Sequence, residues 1–294
     1  MKRTLVFLLL LTTILSVSVV TSQAATPDTV ILAFTRQPDS LFVDYAATAT
    51  ASYAMAPIYN SLVTTDAEGN FVGGLAESWE VTDDERTWTF SLRDDVLWHD
   101  GEPFTADDVK FTFEYSADPA YTGSAFDETI LGATEKQSGA ADQVEGVQVI
   151  DPQTISFTTV EPNALFLATV GQRYIMPEHV LADVPVAEFN TSSQATAPIG
   201  TGPYRLVEWA RDESITYEAF DDYFGGRANI TNYIWRIIPE ATVHITELLN
   251  NTVDIVPEVP ADDFAALEGE AGVTTLRLPG VNMGTFLTNT DLPM

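Results

Sequence analysis

The sequence predicts an α/β fold built on a mixed sheet, and three observations predict it. Residues 237–256 read as strand, helix and strand in succession, with Ile245, Leu248 and Leu249 on one helical face, the unit that builds parallel sheets. Two hairpins supply antiparallel pairs: 78–92 turns through Asp83, Asp84 and Glu85, and 147–160 turns at Asp151-Pro152. In the first, Trp88, Phe90 and Leu92 recur at a spacing of two, which gives the hairpin one buried face. With 45% hydrophobic residues, 16 Phe, 10 Tyr and 5 Trp over 294 residues, the chain is globular and long enough for more than one domain.

Taken in order, Met1-Lys2-Arg3, an apolar run over 5–20 and Ser22-Gln23-Ala24 form an export signal cut after residue 24. The rival reading, a membrane anchor, is weakened by the short run and its Thr and Ser interruptions. Residues 29–35 are a buried strand, broken by Arg36-Gln37-Pro38-Asp39-Ser40, and a loop in that place often faces a cleft. The uncharged stretch 46–52 is small enough to let a ligand approach the backbone or to pack a helix closely, and both readings stand. Met55, Ile58, Tyr59 and Leu62 recur at helical spacing, predicting a helix over 53–62. Asp66 to Asn70 is a turn whose acids lack the spacing and closing Glu of a calcium loop.

The stretch 75–115 is the most densely signalled part of the chain. After the first hairpin, Asp100-Gly101 is a turn, and Thr105 with Asp108 is the start signature of a helix, stapled by Phe104 and Val109. Val109, Phe111, Phe113 and Tyr115 nevertheless alternate with polar residues, a strand period that contradicts the cap. Residues 117–144 carry little periodicity. Helices are expected over 163–170 and after Pro177, strands over 204–209, 214–219 and 233–238, and a left-handed residue at Asn251. A short helix over 261–267 and a strand over 274–278 follow. Gly200-Thr201-Gly202 runs straight into a strand and has no Lys after it, so it is not a phosphate loop.

Composition excludes several functions. There is no Cys, hence no disulfide, thiolate metal site or lipidated Cys anchor. The net charge of −30, which becomes −32 once Lys2 and Arg3 leave with the signal, repels nucleic acid and anionic lipid. Lys110 and Lys136 are the lysines that remain. His99, His179 and His244 lie in separate elements, without a zinc spacing, and read as surface or turn residues. Asp94, Asp95, His99, Asp100 and Glu102 flank a turn and read as a solvated loop. No Gly-x-Ser-x-Gly elbow supports a serine nucleophile, and no carboxylate pair stands out, so a secreted hydrolase is the weaker reading and no catalytic residue is assigned.

Three segments together, LAESWEVTDDERTWTFSLRDDVLWHDGEPFTADDV, PIGTGPYRLVEW and YFGGRANITNYIWRIIPEATVHITELLNNTVDIV, resemble the family 5 extracellular solute-binding proteins of ABC importers, in family order over 28–290. The resemblance implies a type II periplasmic-binding-protein fold. Residues 25–63 and 172–272 would form a first lobe, 64–171 a small α+β domain inserted into it, and 273–294 the start of a second lobe that this chain lacks. It also implies a helix after Thr105. The family pattern places Tyr45, Ala46, Ala47 and Thr48 on the cleft wall, and Arg173 where nickel-chelate-binding relatives hold carboxylates. A planar guanidinium fork suits that task, and a structural ion pair is the competing reading. The implied protein is an exported, periplasmic or extracellular monomer with no cofactor or metal. It would capture peptides, or alternatively metal chelates or oligosaccharides, for a membrane permease.

Overall fold

A computed structural model describes residues 28–45, 48–123 and 127–276 of the chain, with the side chains of 261 and 262 set aside. The segment expected to be an export signal, Ala46, Ala47 and the residues from 277 onward lie outside that range. The first strand, β1 (Thr29–Phe34), leads through a loop into α1 (Ala49–Met55), which starts before the expected helix and ends inside it. Pro57 has no N–H to offer Tyr53, so the ladder stops there; Ile58, Tyr59 and Leu62 are fully buried in the turn that follows. β2 (Val63–Thr65) and β3 (Phe71–Gly73) form a small hairpin around the Asp66 turn, where Asp66 Oδ1 accepts from the amides of Glu68 and Asn70 at 3.0 and 2.8 Å.

β4 (Ala76–Val81) and β5 (Thr87–Leu92) pair as the alternating pattern requires, with Trp88, Phe90 and Leu92 buried. After α2 (Ala106–Ser116) and α3 (Ala133–Gln137), the hairpin of β6 (Val147–Asp151) and β7 (Thr154–Thr158) completes an antiparallel sheet of order β4-β5-β7-β6. The helix expected over 163–170 is a π-helical turn, Leu167–Gly171. α4 (Glu178–Leu181) begins after Pro177 as expected.

The second sheet draws on distant parts of the chain. β8 (Tyr204–Ala210), β9 (Ser214–Ala219) and β10 (Asn232–Ile237) join β1 in the order β1-β10-β9-β8; β1 and β10 are parallel and the other pairs antiparallel. α5 (Ala241–Leu249) matches its expected bounds, and Asn251 takes φ 56°. The strand expected at 253–256 is reduced to one parallel bridge, Leu32 to Ile255. There the Asp254 carboxylate accepts the Ile31 amide at 2.8 Å, and Pro257 removes the next donor. α6 (Ala261–Leu267) closes the described chain; 274–276 form no strand, and the rest of that expectation lies outside the description. Among the described residues no helix is long and apolar enough to cross a membrane.

Each sheet has its own apolar core, and α2 lies between the two. Val109 and Phe113 pack into the core of the β4–β7 sheet, while Phe111 and Tyr115 pack into the core beneath β1, β9 and β10. Residues two apart on a helix point about 200° apart, so a helix buried on opposite faces shows a period of two. That is why the pattern mimicked a strand, while the capping box of Thr105 and Asp108 told the truth. A third stripe on α2 is polar and buried: Asp108, Thr112 and Ser116 are 4%, 0% and 3% exposed. It receives the segment that follows the π-helical turn. The Glu178 amide donates to Asp108 at 3.0 Å, the Met176 amide to Thr112 at 2.9 Å, and Arg173 Nη1 to Ser116 at 2.9 Å.

Candidate ligand-binding site

The loop after β1 is anchored before it turns. Gln37 Oε1 accepts from Trp209 Nε1 at 3.3 Å and from the Asp212 amide at 3.0 Å, and Leu41, Phe42 and Val43 are at most 2% exposed. Asp44 then takes φ 67°, and the Tyr45 amide closes the turn on the Phe42 carbonyl at 3.3 Å. Tyr45 is half-buried against Phe42 and Tyr121, at 5.4 and 5.5 Å between ring centroids, and its hydroxyl accepts from Thr122 at 3.4 Å. Thr48 is exposed but engaged: its hydroxyl caps α1 by accepting the Ala51 amide at 3.2 Å and donates to Asp39 at 2.9 Å. Ala46 and Ala47 lie outside the described residues.

Arg173 is 8% exposed, and the carboxylate it holds is that of Asp44. Its guanidinium also lies 5.0 Å from the centre of the Phe113 ring and donates to Ser116. Tyr121 donates to the same Asp44 oxygen at 2.8 Å; burial and then the Asp44 charge push its phenol far above the ordinary range, so it stays protonated. The structure thus gathers Tyr45 and Arg173 around Asp44, while Thr48 turns to Asp39. Sequence reasoning missed Asp44, Ser116 and Tyr121. The available signal was a non-glycine turn beside the named segment, with its partners 77 and 129 residues away in the chain.

Of the histidines, expected at the surface or in turns, His179 is exposed and His99 lies in a turn, while His244 departs from the expectation. His244 is 1% exposed, bonded at Nε2 to the Ile238 carbonyl at 2.7 Å. His99 is part-buried at the junction of the two cores, between the backbones of Gly200 and Gly202. His179 pairs with Asp100 at 2.8 Å in a partly exposed position. Among the described residues no group of three or more His, Asp or Glu has a metal-binding arrangement. Two cavities of about 330 Å³ lie elsewhere. One, on the outer side of α2, is bordered by Lys110, Lys136, Asp107 and Glu178; the other is lined by Tyr59, Tyr174, Tyr223 and Phe224.

The mixed sheet, joined through a two-faced helix to a separate antiparallel sheet, has the fold of type II periplasmic binding proteins. The AppA oligopeptide-binding protein of Bacillus subtilis, solved with a nonapeptide, superposes with a TM-score of 0.72 at 25% identity over 82% of this chain and 46% of that one. NikZ from Campylobacter jejuni, solved with Ni(L-His), gives 0.70 at 25% identity over 84% and 46%. The dipeptide-binding protein of Escherichia coli is 31% identical over 242 residues, 78% of this chain and 44% of that protein. Residues 70–294 match the family model of bacterial extracellular solute-binding proteins, family 5 middle region, and the chain belongs to that family. It spans about half the length of the relatives it matches.

Proposed function

We propose that this chain carries the first-lobe wall of an exported binding protein that captures peptides and passes them to a membrane permease of the ABC class. The observation that carries this reading is the match of the dipeptide-binding protein of Escherichia coli over 78% of the chain. It is supported by the fold shared with AppA, which was solved holding a nonapeptide. Residues 64–171 form the inserted small domain in this reading, and 25–63 with 172–272 the lobe that carries it.

The ligand-facing wall is the segment of Tyr45, Ala46, Ala47 and Thr48, following the C-terminal end of β1, with Arg173 behind it. A ligand carboxylate at Arg173 would compete with Asp44, which already pairs with that guanidinium. The protein acts by capture: ligand that touches both walls of a cleft favours the closed state by its higher affinity for it, and no bond is made or broken. NikZ with Ni(L-His) keeps metal chelates as the second reading. The test uses the protein expressed from its whole reading frame, mixed with a pool of di- to pentapeptides. Thermal stabilisation with the peptides recovered intact supports the reading, because a ligand that binds only the native state raises the melting temperature. Hydrolysed peptides in the mass spectrum would replace it with an enzyme, and stabilisation by nickel-histidine alone would replace peptides with chelates.

A further inference from the structure

We propose that Asp44, Arg173 and Tyr121 are positioning residues: they set the backbone course into the ligand-facing segment and hold the Tyr45 ring, without touching ligand themselves. This rests on the binding reading above for its functional consequence, and on geometry alone for the positioning. The chain up to Val43 is locked in the core, so the turn at Asp44 decides where Tyr45 goes. Asp44 occupies the third position of that turn at φ 67°, a region that glycine enters freely and most residues avoid. Nothing local compels an aspartate there; the carboxylate does.

That carboxylate fastens the turn to two distant parts of the chain. Arg173 grips it, and Arg173 is in turn fixed by Ser116 of α2 and by the Phe113 ring beneath it. Tyr121 acts twice, donating to Asp44 at 2.8 Å and setting its ring edge-on to Tyr45 at 5.5 Å. The Asp44 side chain is 7% exposed and that of Arg173 6%, so each charge has lost most of its water and depends on the other. A buried charge pair with a third hydrogen-bonded partner tolerates one arrangement, which fixes a wall more narrowly than apolar contacts would. The pairing gives Arg173 a carboxylate from within the chain, so ligand selection on this wall does not require one at that guanidinium.

The test compares the unaltered protein, from its whole reading frame, with Asp44→Gly and Tyr121→Phe. Glycine keeps the left-handed turn and removes the carboxylate; phenylalanine keeps the ring against Tyr45 and removes the donor. Both changes should speed hydrogen exchange of the Tyr45 amide and weaken peptide affinity by about tenfold, measured well below the melting temperature, since each removes a hydrogen bond to a charged group. Unchanged Tyr45 exchange in both variants, even with lowered melting temperatures, would overturn the proposal and leave the pair a matter of stability alone. Faster exchange in a protein that binds no peptide would uphold the positioning while removing the peptide reading.

Discussion

At the scale of one residue, His99 carries the most testable chemistry outside the candidate site. The Gly200 amide donates to its Nδ1 at 3.2 Å, so Nε2 bears the hydrogen and donates to the Gly202 carbonyl at 3.0 Å, with Phe220 edge-on to the ring at 5.1 Å. Burial first, with Arg205 adding to it, lowers the imidazole from its ordinary 6.5 to about 4, against the opposing pull of the Gly202 carbonyl and Asp100. A folded-state value below the unfolded one means that the stabilisation is whole above the unfolded value and is lost as pH falls through the folded one. For His99 the window runs from about 6.5 down to about 4. The loss across that window is at most about 3 kcal/mol. His99→Gln, which can still accept at one atom and donate at the other, should show a shallower fall in its urea midpoint between pH 7 and 4.5 than the unaltered protein; parallel acid limbs would remove His99 from the account. None of this was legible in the sequence, because the partners of His99 are backbone atoms 101 and 103 residues further on, and three histidines without partners in view look alike.

At the scale of elements, the turn of Gly200 and Gly202 shows why a motif can be recognised before it is understood. A side-chain carbon at Gly200 would stand 2.0 Å from the Ile58 carbonyl oxygen, and one at Gly202 would stand 2.4 Å from that of Pro57. The two glycines let the loop lie directly on residues 57–58, with the Gly202 amide on the Ile58 carbonyl at 2.7 Å and the Tyr204 amide on that of Pro57 at 3.0 Å. On the other side the His99 amide donates to the Gly200 carbonyl at 2.9 Å, so one turn joins the two cores. Gly200→Ala should therefore cost about 3 kcal/mol or more, since backbone cannot yield as a side chain can. Gly269→Ala, with nothing within 4 Å, should stay within about 0.5 kcal/mol in the same denaturation series. Equal effects would mean that the turn does not bear on 57–58. The sequence predicted the strand after this turn and excluded a phosphate site, but it could not show what the glycines approach. α2 shows the complementary case: its cap and the family resemblance pointed to the helix that forms, while its period of two, which pointed to a strand, comes from burial on two opposite faces.

At the scale of the molecule, what was legible was whatever is local or periodic: both hairpins, the α5 and α6 bounds, and the left-handed Asn251. What stayed hidden depends on chain parts that meet only on folding, such as β1 pairing with β10 some two hundred residues later, and Asp44 with Arg173. Charge is the global property the sequence states outright, and it carries the last prediction. With 43 acidic residues against 13 basic ones the sequence carries a net −30, or −32 without Lys2 and Arg3, and folding brings like charges closer together. Added salt acts in two opposed ways. It weakens ion pairs such as Arg93–Asp95, Arg205–Glu218 and Arg227–Asp221, which are exposed in whole or in part and worth at most about 1 kcal/mol each. It also screens the repulsion among the unpaired acids, which is summed over the whole surface and is relieved when the chain expands. The second effect is the larger, so the melting temperature at pH 7 should rise by about 5 °C or more between 10 mM and 1 M NaCl. Most of that rise should come below about 0.3 M, where the screening length shortens fastest relative to the spacing of surface charges. A flat or falling melting temperature would show that the acidic surface is locally compensated and that net charge does not govern the stability of this fold.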